Sequence, residues 1–223
     1  MTLGIDIGTS GVKVALVDHA AAGAETVLAS ASSGLTVQRP HPRWSEQDPA
    51  SWWAAVLDCV DAIHASHGVL LASCTAIGLS GQMHGATLMD ASGTVLRPCM
   101  LWNDGRSSEQ CVELESAWPA SRRVTGNLAM PGFTAPKLLW VREFEREVFD
   151  RVAMVLLPKA YVRWRLCGAM VEEMSDASGT LWLDVGARRW SDEGLAACGL
   201  DRGQMPTLVE GSQPTGHLRR ELA

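Results

Sequence analysis

Leu3-Gly4-Ile5-Asp6-Ile7-Gly8-Thr9-Ser10-Gly11-Val12-Lys13-Val14-Ala15-Leu16-Val17-Asp18 decides how this chain folds. Leu3, Ile5 and Ile7 alternate with Gly4, Asp6 and Gly8, the period of two of a strand with one buried face. Val12, Val14 and Leu16 repeat that period beyond the glycines. The stretch therefore reads as strand, tight turn, strand, with Gly8 and Gly11 supplying the positive φ angles of the turn. Backbone amides and the hydroxyls of Thr9 and Ser10 then point outward, with Asp6 before them and Lys13 after. Amides and a lysine suit phosphate oxygens, and a carboxylate suits a metal ion or its waters. The same residues read equally well as a plain hairpin. The spacing is not the G-x-G-x-x-G of a dinucleotide site, and no G-K-[ST] closes it as a Walker A loop.

Outward from this hairpin, 223 residues allow one large domain or two small ones. The apolar share of 47% and charged share of 20% are those of an ordinary globule. A net charge of −6 argues against a nucleic-acid partner. The N-terminus lacks the basic start of a signal peptide, and no apolar run reaches membrane-spanning length, which points to the cytoplasm. The six cysteines, Cys59, Cys74, Cys99, Cys111, Cys167 and Cys198, form no C-x-x-C pair and read as reduced, buried, small apolar residues. Nine tryptophans against one tyrosine will line core and clefts.

Glu25 to Ser32 reads as a third strand, and the proline-rich stretch from Leu35 to Pro49 as an ordered loop. Asp48-Pro49 starts a helix, with Asp as N-cap and Pro at the first position. Trp53, Val56, Leu57, Val60 and Ile63 follow at helical spacing, with His64 on or beside that face as a partly buried structural histidine. Cys74 to Leu79 is a short strand that runs into Gly81-Gln82-Met83-His84-Gly85. Gln82, Met83 and His84 offer an amide, a thioether and an imidazole to a polyhydroxylated ligand; the bland alternative is a strand-end turn with a solvent histidine. Strands through Thr87 to Met89 and Thr94 to Leu96 flank a turn at Asp90 to Gly93. Trp102-Asn103-Asp104 precedes a helix from Ser107 to Glu115. Asp104 either caps that helix or joins Asn103 and the Trp102 indole in a sugar site. Lys137 to Phe149 reads as one helix, Val152 to Leu157 as a buried strand, Pro158 to Leu166 as a helix, and Met174 to Thr180 as a polar loop. Ser191 caps a short helix, and the tail from Gly216 starts like another. The mixture of strands and helices predicts an α/β fold with a mixed sheet flanked by helices.

Taken together, these pieces resemble a known family. Asp6-Ile-Gly-Thr-Ser-Gly-Val-Lys13 is similar to the first phosphate motif of the sugar kinases in the actin, hexokinase and Hsp70 superfamily. Trp44-Ser-Glu-Gln-Asp-Pro49, Gly81-Gln-Met-His-Gly-Ala86, Leu101-Trp-Asn-Asp-Gly-Arg106, Thr125-Gly-Asn127 and Gly132-Phe-Thr-Ala-Pro-Lys137 resemble, in this order, the FGGY carbohydrate kinases. The match is nearest to their xylulose-phosphorylating bacterial members, and Gln82-Met83-His84 discriminates best.

The resemblance implies an actin-like, hexokinase-type (ribonuclease H-like) domain over residues 1–223. It also implies transfer of a phosphoryl group from ATP to D-xylulose with Mg²⁺. Carried over, Asp6 positions the metal, and Gly8, Thr9, Ser10 and Gly11 face the ATP phosphates. Lys13 joins them on charge and position alone. Gln82, Met83 and His84 contact the ketose, and Trp102, Asn103 and Asp104 line its pocket. Family members carry their general base in a Gly-Gly-Asp segment and their adenosine site in a second domain. Neither lies within these 223 residues, so the expectation is a sugar-binding half, inactive alone, that exposes an apolar docking face and self-associates through it as a homodimer. The rivals are a kinase for another ketose or polyol, or a non-catalytic module for sugar binding or assembly.

Overall fold

The computed structural model describes residues 1–21 and 24–223. Strands β1 (Thr2–Ile7), β2 (Gly11–Ala21) and β3 (Ala24–Gly34) form an antiparallel meander. After the two-residue strand β4 (Glu46–Gln47) and helix α1 (Pro49–Leu71), strand β5 (Ala76–Gly81) joins β1 in parallel. The sheet order is β3-β2-β1-β5. A right-handed crossover through a long helix is the ordinary way to place a parallel neighbour.

The first hairpin forms as its alternation requires: Leu3, Ile5, Ile7, Val12, Val14 and Leu16 are all buried. Its glycines act differently from expectation. Neither Gly8 nor Gly11 has a positive φ. A Cβ on Gly8 would lie 3.0 Å from the Gly11 carbonyl oxygen, and one on Gly11 would lie 2.8 Å from that of Ser33. Close backbone approach, not backbone handedness, excludes a side chain here.

Helix α1 is capped as predicted: Asp48 Oδ1 accepts from the Ala50 amide at 2.9 Å, worth about 1 kcal/mol. At 23 residues it is long and apolar enough to cross a membrane by length and composition, contrary to the expectation that no run reaches that size. Its inner stripe of Trp52, Trp53, Val56, Cys59 and Ile63 is buried against β1 and β2 and the later helix α6 (Pro158–Cys167), the packing of a core helix. His64 is exposed rather than partly buried, and its ring lies over Gly68.

A second core lies beside the first. It is built from β6 (Thr87–Met89), β7 (Cys99–Met100), α2 (Ser108–Ala117), α3 (Ser121–Thr125), α4 (Thr134–Phe144), α5 (Arg146–Phe149) and β8 (Met154–Leu156). Strand β4 pairs with β7, and β6 with β8. The predicted single helix from Lys137 to Phe149 starts earlier, at Thr134, and breaks at Glu145, whose φ of −131° is not helical. Beyond α6 come β9 (Val171–Glu173), α7 (Met174–Ser178), β10 (Leu183–Asp184), β11 (Arg189–Trp190), α8 (Asp192–Ala197) and β12 (Thr207–Val209). The expected loop after Met174 is thus a helical turn, capped by Glu173, whose carboxylate accepts the Ser175 and Asp176 amides. Ser191 caps α8 as predicted. The tail forms only a 3-10 turn at Arg220–Leu222. Cys59, Cys99, Cys111 and Cys198 are buried and Cys74 and Cys167 half-buried, all as free thiols. Burial pushes the Cys99 and Cys198 thiols up to about 12.

Candidate active site

The open face of the main sheet carries its polar residues. In the register, Asp6 stands opposite Lys13 on β2 and Ser80 on β5. All three are exposed, and Ser32 extends the row beyond Lys13. Period-two alternation forces this, because the same strands bury Ile5, Ile7 and Val14 on the other side. An acid, an amine and a hydroxyl thus sit side by side at the turn end of the sheet.

The parallel register Ile7↔Gly81 brings the glycine turn beside the segment that follows β5. The Gln82 amide continues the ladder by donating to the Ile7 carbonyl at 2.8 Å. A side-chain relay then joins the segments. The Trp102 indole donates to Thr9 Oγ1 at 3.0 Å. Thr9 Oγ1 donates to Gln82 Oε1 at 3.0 Å, and Gln82 Nε2 donates to Gln47 Oε1 at 3.1 Å. Gln47 Oε1 also accepts from the Trp52 indole at 2.9 Å, while Gln47 Nε2 donates to the Thr9 carbonyl at 2.7 Å. Thr9 and Gln82 therefore spend their side chains holding the turn and the neighbouring segment together. Ser10 remains exposed at the turn tip. Sequence reasoning missed Gln47, a fully buried residue that bridges three segments. Its only signal was its place in Trp44-Ser-Glu-Gln-Asp-Pro49.

His84 sits in the left-handed region, with φ of 68°, which is costly for a residue with a side chain. Its carbonyl accepts from Thr134 Oγ1 at 3.0 Å and Lys137 Nζ at 3.4 Å. Its ring meets Phe133 edge to face at 4.6 Å, and its Nδ1 lies 2.8 Å from the Gly179 carbonyl oxygen. A carbonyl only accepts, so Nδ1 carries the proton and Nε2 keeps a lone pair. Burial lowers the His84 pKa below 6.5; the Gly179 hydrogen bond opposes this and the Lys137 charge adds to it. The ring is therefore neutral at pH 7.

His84 lines a cavity of about 580 Å³ with Met83, Asn127, Phe133, Lys159 and Asp176. Met83 is exposed at its rim. Asn127, from the Thr125-Gly-Asn127 motif, was not among the expected site residues. Trp102 and Asn103 are exposed but do not line this cavity; Trp102 belongs to the relay through Thr9. Asp104 is a correction. It does not cap α2, whose N-cap is Ser107, and it does not line this cavity. It is buried, accepting from the Ser45 amide at 2.7 Å and from both sides of the Arg106 guanidinium at 2.9 and 2.6 Å. Its carboxylate braces the wall behind Trp102.

The far wall of the cavity is ionic. Lys159 Nζ lies 2.7 Å from Glu173 Oε1 and 3.2 Å from Asp176 Oδ2, with Glu172 at 4.0 Å. Burial works against the Lys159 charge, but the carboxylates outweigh it and raise its pKa. Burial, helped by Asp176, pushes Glu172 up to about 8 from its ordinary 4.5. A carboxyl with a raised folded-state pKa contributes stability that is complete below about 4.5 and is lost as pH rises through about 8. Glu172→Gln removes that titration. The expected result is a flatter melting temperature between those limits, and a variant a few degrees more stable than the parent at about pH 9. Parallel pH slopes in the two proteins would rule Glu172 out as the cause.

Known proteins resemble this chain along its whole length. The model of the FGGY family of carbohydrate kinases, N-terminal domain, matches residues 1–223. The chain is 55% identical to a xylulose kinase of Klebsiella pneumoniae and 54% identical to one of Escherichia coli (strain K12), in each case over all of this chain and 45% of the relative. Among solved structures, one titled xyloylose kinase from Brucella ovis superposes with a TM-score of 0.95 at 55% identity, over 99% of this chain and 45% of that one. A xylulose kinase from Rhodospirillum rubrum superposes at 0.92 with 27% identity, covering 98% and 44%. The chain thus spans less than half the length of these relatives. The expected actin-like architecture, a mixed sheet flanked by helices, holds. This chain belongs to the FGGY family of carbohydrate kinases and matches its N-terminal domain.

Proposed function

We propose that this chain is the sugar-binding half of a kinase that transfers a phosphoryl group from ATP to D-xylulose. The observation that carries the reading is the His84 imidazole. It is held neutral, with Nδ1–H given to Gly179, and lines a cavity beside Met83. A neutral ring whose remaining nitrogen is an acceptor suits a sugar hydroxyl, and the thioether of Met83 suits the C–H faces. The curated relatives at 55% and 54% identity carry the name xylulose kinase, which favours this ketose over other polyols.

The nucleotide's phosphates fit the turn end of the sheet. Ser10, the turn amides beyond Gly8 and the Lys13 ammonium supply donors, the Gly8 amide being engaged by the Gly11 carbonyl at 3.0 Å. Asp6 supplies the hard oxygen that Mg²⁺ needs. Among the described residues no set of three acidic, histidine or cysteine ligands is present, so the ion would rest on one carboxylate, waters and the phosphates, its usual manner. Bound there, it would neutralise charge on the phosphate oxygens. The register of β1 against β5 brings this turn next to Gln82, so phosphate and sugar lie at adjacent strand ends. Asp176 is tied to Lys159 and is not assigned as the base.

Calorimetric titration of the chain with D-xylulose, D-ribulose, L-ribulose and glycerol tests the reading. Preferential binding of D-xylulose, weakened about tenfold or more in His84→Ala, is expected. Affinity unchanged by that substitution would return His84 to a structural role. In a protein with full-length turnover, Asp6→Ala is expected to abolish ATP-dependent ADP release while sugar binding persists; normal turnover would remove Asp6 from the metal site.

A further inference from the structure

Lys137 is wholly buried, yet among the described residues no carboxylate is hydrogen-bonded to it. It lies in the first turn of α4, where the helix dipole disfavours a cation. Burial pushes its pKa down to about 7 from 10.5. A lysine kept under these penalties is compensated by what its ammonium holds. It meets three backbone carbonyls: Gly132, Phe133 at 3.1 Å and His84 at 3.4 Å. Three N–H donors meet three acceptors. Thr134, one turn earlier on the same helix face, reaches the same His84 carbonyl. The next glycine, Gly85, leaves no room for the segment to shift, since a Cβ there would lie 2.8 Å from Pro158 and 2.9 Å from Cys99 Sγ.

We propose that Lys137 is a positioning residue. Its ammonium gathers the carbonyls of Gly132, Phe133 and His84, and so fixes the left-handed backbone at His84 that presents the imidazole to the cavity. Lys137 is wholly buried and does not line the cavity, so it acts on the site through His84. Phe133, whose carbonyl it holds, is also the ring against which His84 rests. The charged or titratable groups around it are Cys99 on β7, Cys111 on α2, and Asp104 and Arg106 in the segment between. Burial pushes both thiols to about 11 or higher, so neither supplies charge near neutrality. As pH rises through about 7 the ammonium becomes an amine with two donors for three carbonyls, and the grip on His84 loosens.

The consequence for sugar rests on the reading of His84 as a ketose contact, and the experiment separates the two. Lys137→Met keeps chain length and removes the charge. The expected result is a folded protein whose His84 ring, followed by NMR of its Cε1 proton, titrates nearer to 6.5 than in the parent. D-Xylulose affinity falls about tenfold to a hundredfold. An unchanged His84 titration in the folded variant overturns the proposal, whatever happens to the sugar. A shifted titration with unchanged xylulose affinity sustains the proposal and overturns the ketose contact instead. If the variant does not fold, the parent decides: the His84 Nδ1 proton signal should move with the midpoint of Lys137 Nζ between about pH 6 and about pH 9. A signal indifferent to that midpoint overturns the proposal.

Discussion

Replacing Arg106 with methionine lowers the free energy of unfolding by about 3–5 kcal/mol, the largest loss expected of any single polar substitution here. The guanidinium has a side-chain exposure of 1% and joins two buried carboxylates. It grips Asp104 through two bonds and lies 2.7 Å from Glu46. It also lies 3.6 Å from the centre of the Trp44 ring, a close cation–π contact. Glu46 continues to Arg97 at 2.6 Å, and Arg97 to Glu145 at 2.7 Å. Methionine fills the space but leaves Asp104 without its counter-ion in a site closed to water. The chemical-denaturation midpoint should fall accordingly, and the melting temperature by about 10 °C. Arg106→Lys should recover only part of this, because one ammonium cannot make both bonds to Asp104. A variant within about 1 kcal/mol of the parent would show that the network contributes little net stability.

Gly179→Ala is expected to remove most of the sugar affinity while leaving the fold in place. Gly179 has φ of −73°, so alanine suits its backbone. Its Cβ, however, would lie 2.4 Å from His84 Nδ1 and 2.6 Å from Cε1. The ring cannot retreat, because Phe133 stands at its edge and its own backbone is pinned. One methyl group therefore displaces the imidazole. The expected loss is about a hundredfold in D-xylulose affinity, read by calorimetry, with a melting temperature lowered by a few degrees. The double variant His84→Ala/Gly179→Ala removes the clash. It should regain the lost stability and bind sugar no worse than His84→Ala alone. Parent-like affinity in Gly179→Ala would sink the role of His84 and the steric argument together.

What the sequence disclosed follows from distance along the chain. The β1–β2 hairpin, the Asp48 and Ser191 caps and the stripe of α1 are local, and each was legible from spacing and residue type. The turn glycines were identified correctly but for the wrong reason, since the obstruction on Gly11 comes from Ser33 across a strand pair. Helix α7 was hidden because glutamate, an uncommon N-cap, starts it. Met83 and His84, singled out by motif, line the cavity. Asp104 was misplaced because its fate depends on Arg106 and Ser45, and nothing in Trp102-Asn103-Asp104 announces that a carboxylate is neutralised from behind. Gln47 and Lys137 escaped notice because their partners are backbone carbonyls and other amides, which leave no pattern in a sequence.

The relay through Gln47 has one further property. Its two ends are indoles, Trp52 and Trp102, which can only donate. Trp102 donating to Thr9 leaves the hydroxyl proton for Gln82 Oε1. Gln82 must then present its amide nitrogen to Gln47, whose oxygen faces Trp52 as well, and whose own nitrogen is left for the Thr9 carbonyl. Reversing any one bond would set donor against donor or acceptor against acceptor. The array therefore has a single microstate: no amide flip or hydroxyl rotation gives an alternative of comparable energy, so the turn between β1 and β2 carries almost no configurational degeneracy before any ligand arrives.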